Sequence, residues 1–549
     1  MERRVLLAVF LSFLVIYVYQ ALMPVPRPAQ PRREASPPAQ GPRRQATAQP
    51  APPPLPPPLV AADREQEIVV ETPAVRAVFT NRGGVLRSWR LKHYLNARGA
   101  PLELVPRIAG EPAPFALRLE NDELTRRLAA ALFESSAAHL DVGDRPAQLT
   151  FRYRDATGLE VRKTFEFGLP GRPYLVRVRA EVVEGGRPLV PVLELGPALG
   201  PAVVPESTGH VSPRAVFSRG GDVERRRPGD LGERAVEEGL FDFAGVEDHY
   251  FLSAVVSPGS PIRVEYRPVA AEGGAPPFVA YAVRLARPIA EARVFLGPKD
   301  FDVLAAVDRS LVRAIDFGVF AWLVVPLLRA LKWINGYVGN YGWSIVILTV
   351  LINLAMFPLR HKSVVSMRKL QAIQPEVKAI QERYAKLKLT DPARQKMNVE
   401  LMNLYRERGV NPASGCIPML LTMPVLFAFY SMLSVAIELR GAPFVGWIRD
   451  LSAHDPLYIT PILMGASMVW QQKLTPMPSA DPLQQRMMML MPLIFTVFFL
   501  WAPSGLVIYW LVSNLWAIGQ QVVTNRLIGP APVHAARPPA ERRVRRRRG

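Results

Sequence analysis

Gly342-Trp343-Ser344-Ile345-Val346-Ile347-Leu348-Thr349-Val350-Leu351-Ile352-Asn353-Leu354-Ala355-Met356-Phe357-Pro358-Leu359 runs for 18 residues without a charged side chain. A helix rises about 1.5 Å per residue, so the run covers about 27 Å, close to the roughly 30 Å hydrocarbon core of a bilayer. It reads as a membrane span. Four more apolar runs follow at 417–435, 457–470, 487–502 and 506–523. The predicted fold class is a polytopic α-helical membrane protein with a five-helix core in its C-terminal half. Bulk composition conceals this, because apolar residues make up 49% of the 549, near the soluble average.

The upstream chain divides by texture. Residues 1–23 carry Glu2-Arg3-Arg4 and then an apolar run over 5–19. That order matches a signal sequence, but no Ala-x-Ala site follows, so a retained transmembrane anchor is expected. Residues 24–62 form a Pro-rich linker: 14 prolines lie between 24 and 58, with too few large apolar side chains to bury a core. From 63 to 300 short runs alternate in polarity between Gly and Pro, as in Val161-Arg162-Lys163-Thr164-Phe165-Glu166-Phe167. The period of two predicts a large extracytoplasmic all-β sandwich, antiparallel, with no helical stretch of comparable strength. Over 301–341 an apolar run at 317–331 is broken by Pro326 and Arg329, and an interfacial helix lying on the membrane is expected there. The core fills 342–525, and a basic tail follows over 526–549.

Lys and Arg in short loops set orientation. Segment 360–416 holds 12 of them against five acids, loop 436–456 holds two against three, and 524–549 holds eight arginines against one glutamate. Both termini and 360–416 are then cytoplasmic, and the β domain is periplasmic, across a bacterial inner (plasma) membrane. The formal net charge of +20 suits ribosomes or anionic lipids; no DNA partner is expected beside a membrane. The single cysteine, Cys416, allows no internal disulfide.

Segment 360–416 predicts a two-helix cytoplasmic hairpin. Val377, Ile380, Tyr384 and Leu387 fall at helical spacing, as do Met397, Leu401, Leu404 and the stem of Arg408, and Pro375 and Asp391-Pro392 are helix starts. A solvated connector would explain the charge. Docking of a ribosome or targeting partner would use Arg383, Lys386, Lys388 and Arg394, with Arg545 and Arg546 of the tail.

No ionisable side chain lies well inside the five runs, which argues against a proton-coupled transporter. There is no phosphate-binding Gly-x-x-x-x-Gly-Lys-[Ser/Thr] loop and no intramembrane Ser–His pair, and His454 sits in a loop. The chain is not read as an enzyme: no catalytic residue, metal or cofactor is expected. What remains is uncharged and polar. Thr349 and Asn353 share one helical face, and Tyr509, Ser513, Trp516 and Gln520 share another; Thr422 and Thr496 could join them. Such residues either glue helices together or line a wet groove. Spans of 14 and 16 residues at 457–470 and 487–502 would thin the bilayer, and Met487, Met488, Met489 and Met491 offer adaptable apolar contact.

Longer words narrow the choice. Asn411-Pro412-Ala413-Ser414-Gly415-Cys416-Ile417-Pro418, running on to Met423-Pro424-Val425-Leu426-Phe427-Ala428-Phe429-Tyr430, resembles the second core span of the YidC/Oxa membrane insertase family. So do Glu438-Leu439-Arg440-Gly441-Ala442-Pro443-Phe444 and the words from Asp481-Pro482-Leu483-Gln484-Gln485-Arg486 to Phe498-Phe499-Leu500-Trp501-Ala502-Pro503-Ser504-Gly505-Leu506. The match covers about 342–525, and the anchor and β domain resemble the family's Gram-negative form. The resemblance implies an insertase or chaperone that receives nascent membrane proteins, alone or beside the Sec translocon, and moves them into the bilayer. It implies a client groove, with Thr349 and Tyr509 at matching positions, and the polar Asn353, Thr422, Thr496 and Ser513 are expected to join it. It also implies a client slide along the second and fourth core spans, where Met423, Phe427, Met487, Met488 and Met491 are expected to serve, and a mutarotase-like β domain without that activity. A folding chaperone without translocation is a competing class. A secondary transporter is another, but it would show an internal inverted repeat, and none is visible.

One position departs from the family, which usually carries an arginine where this chain has Asn353. Asparagine would keep the groove hydrated and remove a fixed charge. Asn353→Arg is expected to be tolerated and to favour clients with acidic tails; an insertion assay in which Asn353→Leu left every client unaffected would remove this residue from the groove.

Overall fold

The computed structural model describes residues 57–528 apart from 97–98, 144, 198, 200–212, 271–276, 286–289, 385–392, 410–416 and 475–481. The anchor, linker residues 24–56 and the tail beyond 528 lie outside the described residues, with Arg545 and Arg546 among them.

Alternating burial makes the β domain. Ala147–Asp155, Leu159–Phe167 and Leu175–Glu184 bury every second side chain, and they pair antiparallel in that order. The sheet continues through Ala290–Pro298, Phe251–Val256, Phe243–Glu247, Arg214–Arg219 and Asp222–Arg226. Two five-stranded sheets accompany it. Phe79 and Phe165, 4.9 Å apart between ring centroids, stand for the aromatic core between layers. Three expectations need correction. Pro58–Val60, assigned to the linker, is the edge strand of the large sheet and pairs with Ala147–Asp155; a proline is tolerated at an edge because fewer N–H donors are needed there. Glu67–Glu71 and His139–Asp141 pair in parallel, so the domain is not purely antiparallel. Helix α1 (Asp122–Ala130) interrupts the strands: Asn121 caps it by accepting from the Glu123 and Leu124 amides, and Leu124 and Leu128 are buried.

Two buried charges hold this domain. Lys163 is 2% exposed, and its Nζ donates to the carbonyls of Gly83 (2.7 Å), Phe115 (2.9 Å) and Gly84 (3.2 Å). Burial pushes its pKa down to about 7. Glu247 accepts from Arg214 and Arg225 at 2.8 Å and pairs with Lys299 at 3.4 Å. Burial would raise its pKa, but those three cations hold the carboxyl below its usual range. Arg225 also donates to the Ala314 carbonyl at 3.1 Å, fastening the sheet to the segment that leads into the membrane.

Short helix α2 (Phe301–Val307) precedes α3 (Ala321–Val338). The latter outruns the apolar run at 317–331, and Gly318–Val338 is long and apolar enough to cross a membrane. Helix α4 (Tyr341–Ala372) does not stop at Leu359 as the span length suggested. Its 32 residues, at about 1.5 Å each, reach about 48 Å and project well past the bilayer core. Helices α5 (Gln374–Arg383) and α6 (Ala393–Glu407) form the hairpin, with Ile373, Val377, Ile380 and Leu404 buried between them. Then come α7 (Ile417–Val435), α8 (Ile459–Leu474), α9 (Pro482–Phe499) and α10 (Ser504–Ile528). Helix α8 has 16 residues, about 24 Å, and stays short of the bilayer core.

The β domain meets one end of this core. His249 Nε2 lies 2.7 Å from the Ser434 carbonyl at the end of α7. The Arg440 guanidinium stands 5.4 Å over the Phe251 ring. Lys332 of α3 is bonded to Glu438 at 3.1 Å, to Asp300 at 3.4 Å and to Asp302. Loop 436–456 and the β domain therefore share a side, as the charge count requires. Lys163→Met keeps the volume and strips three buried carbonyls of their donor; thermal unfolding of the full chain in detergent should show the β domain destabilised by about 3 kcal/mol.

Candidate functional site

Helices α4 and α10 present polar faces to each other. The Thr349 hydroxyl donates back to the Ile345 carbonyl at 2.6 Å, and Asn353 Nδ2 donates to the Thr349 carbonyl at 2.8 Å. Asn353 Nδ2 also reaches Ser513 Oγ on α10 at 3.5 Å. Thr349 and Asn353 are buried. One turn before Ser513, Tyr509 is buried and stacks on Phe429 of α7, with ring centroids 4.2 Å apart and planes 11° apart. Four of the expected groove residues, Thr349, Asn353, Tyr509 and Ser513, are thus brought together, with Phe429 as an apolar wall.

The other two are not in that cluster. Thr496 donates to its own helix at Pro492 (2.7 Å) and abuts Gly465 of α8, where an added Cβ would stand 2.0 Å from its hydroxyl. It serves close helix packing instead. Thr422 lies on α7, and its side chain is outside the described residues. The proposed slide is divided likewise. Met423 and Phe427 are exposed on α7, one turn apart, and Phe427 stacks on Phe320 at 5.9 Å. Met491 is exposed on α9 beside Met489, while the side chains of Met487 and Met488 are outside the described residues.

Of the expected docking cations, Lys386 and Lys388 and the side chain of Arg394 fall outside the described residues. Arg383 pairs with Glu400 across the hairpin at 2.7 Å, so it braces the hairpin. Arg408, expected to contribute only its stem, forms a 2.6 Å ion pair with the buried Glu376.

Arg360 was missed. Counted among the loop charges, it sits on the unbroken α4 seven residues after Asn353, hence on the same face. Its guanidinium donates to Asn353 Oδ1 at 2.8 Å. Among the described residues no carboxylate lies within 4.0 Å of it. The spacing of seven was legible; the helix end placed at Leu359 hid it. A cation therefore sits at the polar face after all, supplied from two turns further along, and an arginine at 353 would confront it. The expected tolerance of Asn353→Arg rested on an empty charge position and is withdrawn.

Comparison with known proteins agrees with this layout. The family model described as 60Kd inner membrane protein matches residues 333–530, and that described as YidC periplasmic domain matches 67–330. The chain is 38% identical to the membrane protein insertase YidC of Geobacter metallireducens, over 97% of this chain and 99% of the relative. It is 39% identical to the same-named protein of Geobacter sulfurreducens, again over 97% and 99%.

The Gly465–Thr496 contact gives a sharp test of the packing assignment. Gly465→Ala should lower the midpoint of thermal unfolding in detergent, and Thr496→Ala in the same chain should restore much of it, because the second change removes the colliding hydroxyl.

Proposed function

This chain belongs to the YidC family of membrane protein insertases, an inner-membrane protein with a periplasmic β domain, and from that premise we propose that its α4–α10 polar face is the groove through which a client's polar segment crosses. One observation carries the reading. Uncharged side chains from two spans, the buried Asn353 and the half-buried Ser513, meet beside a guanidinium that lacks a carboxylate partner among the described residues. Three-way polar contact of this kind keeps a path hydrated at bilayer depth, where an unsatisfied polar group is costly.

The client's apolar segment would leave along the exposed Met423 and Phe427 of α7 and Met491 of α9. Its own burial drives the step, at about 0.3 to 0.6 kcal/mol per large apolar residue. Both termini and the α5–α6 hairpin are cytoplasmic in this reading, and the basic tail rests on anionic lipid or a ribosome. Nascent chains arrive directly or from the Sec translocon. A chaperone that folds clients without moving tails would not need a polar path through the core.

The test uses purified full-length protein in liposomes with a single-span client bearing a translocated polar tail. Tyr509→Leu should slow insertion roughly tenfold, the loss of one buried hydrogen-bonding group. Unassisted failure of the unaltered protein, with client folding still promoted, would favour the chaperone reading.

A further inference from the structure

The loop between α7 and α8 is tied to the start of α10. The Ser504 amide donates to the Ala453 carbonyl at 2.7 Å, and the Gly505 amide to that of Leu451 at 2.9 Å. The loop therefore lies across the β-domain-side ends of three core helices, level with the bilayer surface on that side. Its inner face is closed. Leu439, Ile448 and Leu451 are buried. Its three acids are spent on neighbours: Glu438 on Lys332, Asp450 on the Ser452 amide and hydroxyl, and Asp455 on Trp447 Nε1 and Thr460. Of its two arginines, Arg440 turns to the β domain, where its guanidinium stands over the Phe251 ring.

The outer face is the reverse. Val445 is 52% and Leu457 56% exposed, and Trp447 and Tyr458 are exposed with them. The two rings are held in place while open: Trp447 by its 2.9 Å bond to Asp455, and Tyr458 by stacking on His454 at 5.9 Å between ring centroids. The buried Ile448 is flanked by Trp447 and by Arg449, which is also exposed. Arg449 has no carboxylate within 4.0 Å among the described residues. Clustered apolar side chains open to water mark a contact surface. Trp and Tyr concentrate at membrane–water interfaces, where an apolar ring and a polar tip are both satisfied. A guanidinium matches a phosphate through two parallel hydrogen bonds. Water alone would leave the apolar surface bare. An apolar protein face would strip water from Arg449 and supply no anion. A phospholipid supplies both.

We propose that Val445, Trp447, Leu457 and Tyr458 form an apolar collar seated in the leaflet on the β-domain side, with Arg449 bound to the phosphate of an anionic phospholipid. Leu457 and Tyr458 directly precede α8, so the collar fixes the depth at which α8 enters the bilayer. Through the Ala453–Ser504 bond it fixes the start of α10 as well. The surface lies outside the client path and stands whether or not the α4–α10 face is a groove.

The experiment uses the full chain in liposomes. Cys416, the single cysteine, is replaced by serine, and a nitroxide is attached at Val445→Cys or Leu457→Cys. The controls are Leu490→Cys, exposed midway along α9, and Leu59→Cys, exposed at the strand ends of the large sheet remote from the core. Oxygen, which partitions into lipid, and a neutral water-soluble nickel chelate report depth through collisional relaxation of the label. Labels at 445 and 457 should show the oxygen-rich, nickel-poor signature of 490. Nickel access at 445 and 457 equal to that at 59 overturns the collar. Exclusion of both reagents, the mark of a protein occupant, overturns it as well. The phosphate contact is read by adding phosphatidylglycerol to phosphatidylcholine vesicles. Nickel access at 445 should fall, and the fall should vanish in Arg449→Gln and persist in Arg449→Lys. Persistence of the fall in Arg449→Gln, or the same fall produced by free inorganic phosphate over phosphatidylcholine, overturns the lipid contact at Arg449.

Discussion

Inside a bilayer an uncharged polar side chain has no bulk water to fall back on, so its partner must come from its own helix, from a neighbour, or from whatever passes by. The core sorts its helices by this rule. Around α8 the seams are closed: Asn514 of α10 donates to Ser467 Oγ at 3.0 Å, Ser467 donates to the Met464 carbonyl, and Thr496 of α9 presses against Gly465. Between α4 and α10 the polar contact is sparser: Asn353 and Ser513 meet at 3.5 Å, and Trp516 Nε1, Gln520 Nε2 and Thr524 Oγ1 further along α10 find no partner among the described residues. One seam satisfies its polar atoms between helices, and the other leaves several of them without a partner among the described residues.

The β-domain end is arranged in the opposite sense, with its polar groups satisfied. Lys332 gathers Asp300, Asp302 and Glu438, so strand end, α3 and loop 436–456 converge on one ammonium. Asp455 accepts from Trp447 Nε1 at 2.9 Å and from the Thr460 amide and hydroxyl at 2.8 Å, closing the start of α8. Asn340 and Phe444 fix the start of α4 to the same loop.

Much of this was legible in the sequence, and the reasons differ by element. The spans and the alternating strands announce themselves because apolar patterning at periods of 3.6 and two is set by burial itself. Thr349, Asn353, Tyr509 and Ser513 were visible because a polar residue in an apolar run stands out. Helix α1 was not, since nine residues capped by Asn121 bury only Leu124 and Leu128 and leave a weak pattern. Thr496 was misassigned because spacing along one helix says nothing of which neighbour it faces. Arg360 was hidden by a rule that works well elsewhere: basic residues at span ends usually mark the cytoplasmic boundary, yet a long side chain on a helix that does not stop can reach back to bilayer depth.

The continuity of α4 has a mechanical meaning. Its Tyr341 end is anchored in the β-domain-side loops, its middle carries Thr349 and Asn353, and its far end runs to Ala372, adjoining a hairpin clasped by Glu376 and Arg408. Pro358 interrupts the backbone ladder between the wall and the projecting turns, leaving the Leu354 carbonyl without its usual amide. The helix is therefore one continuous rod whose weakest point lies just past the turn that bears Asn353. A force applied at the hairpin would be carried along it to the turns of Thr349 and Asn353 and would be absorbed first at Pro358.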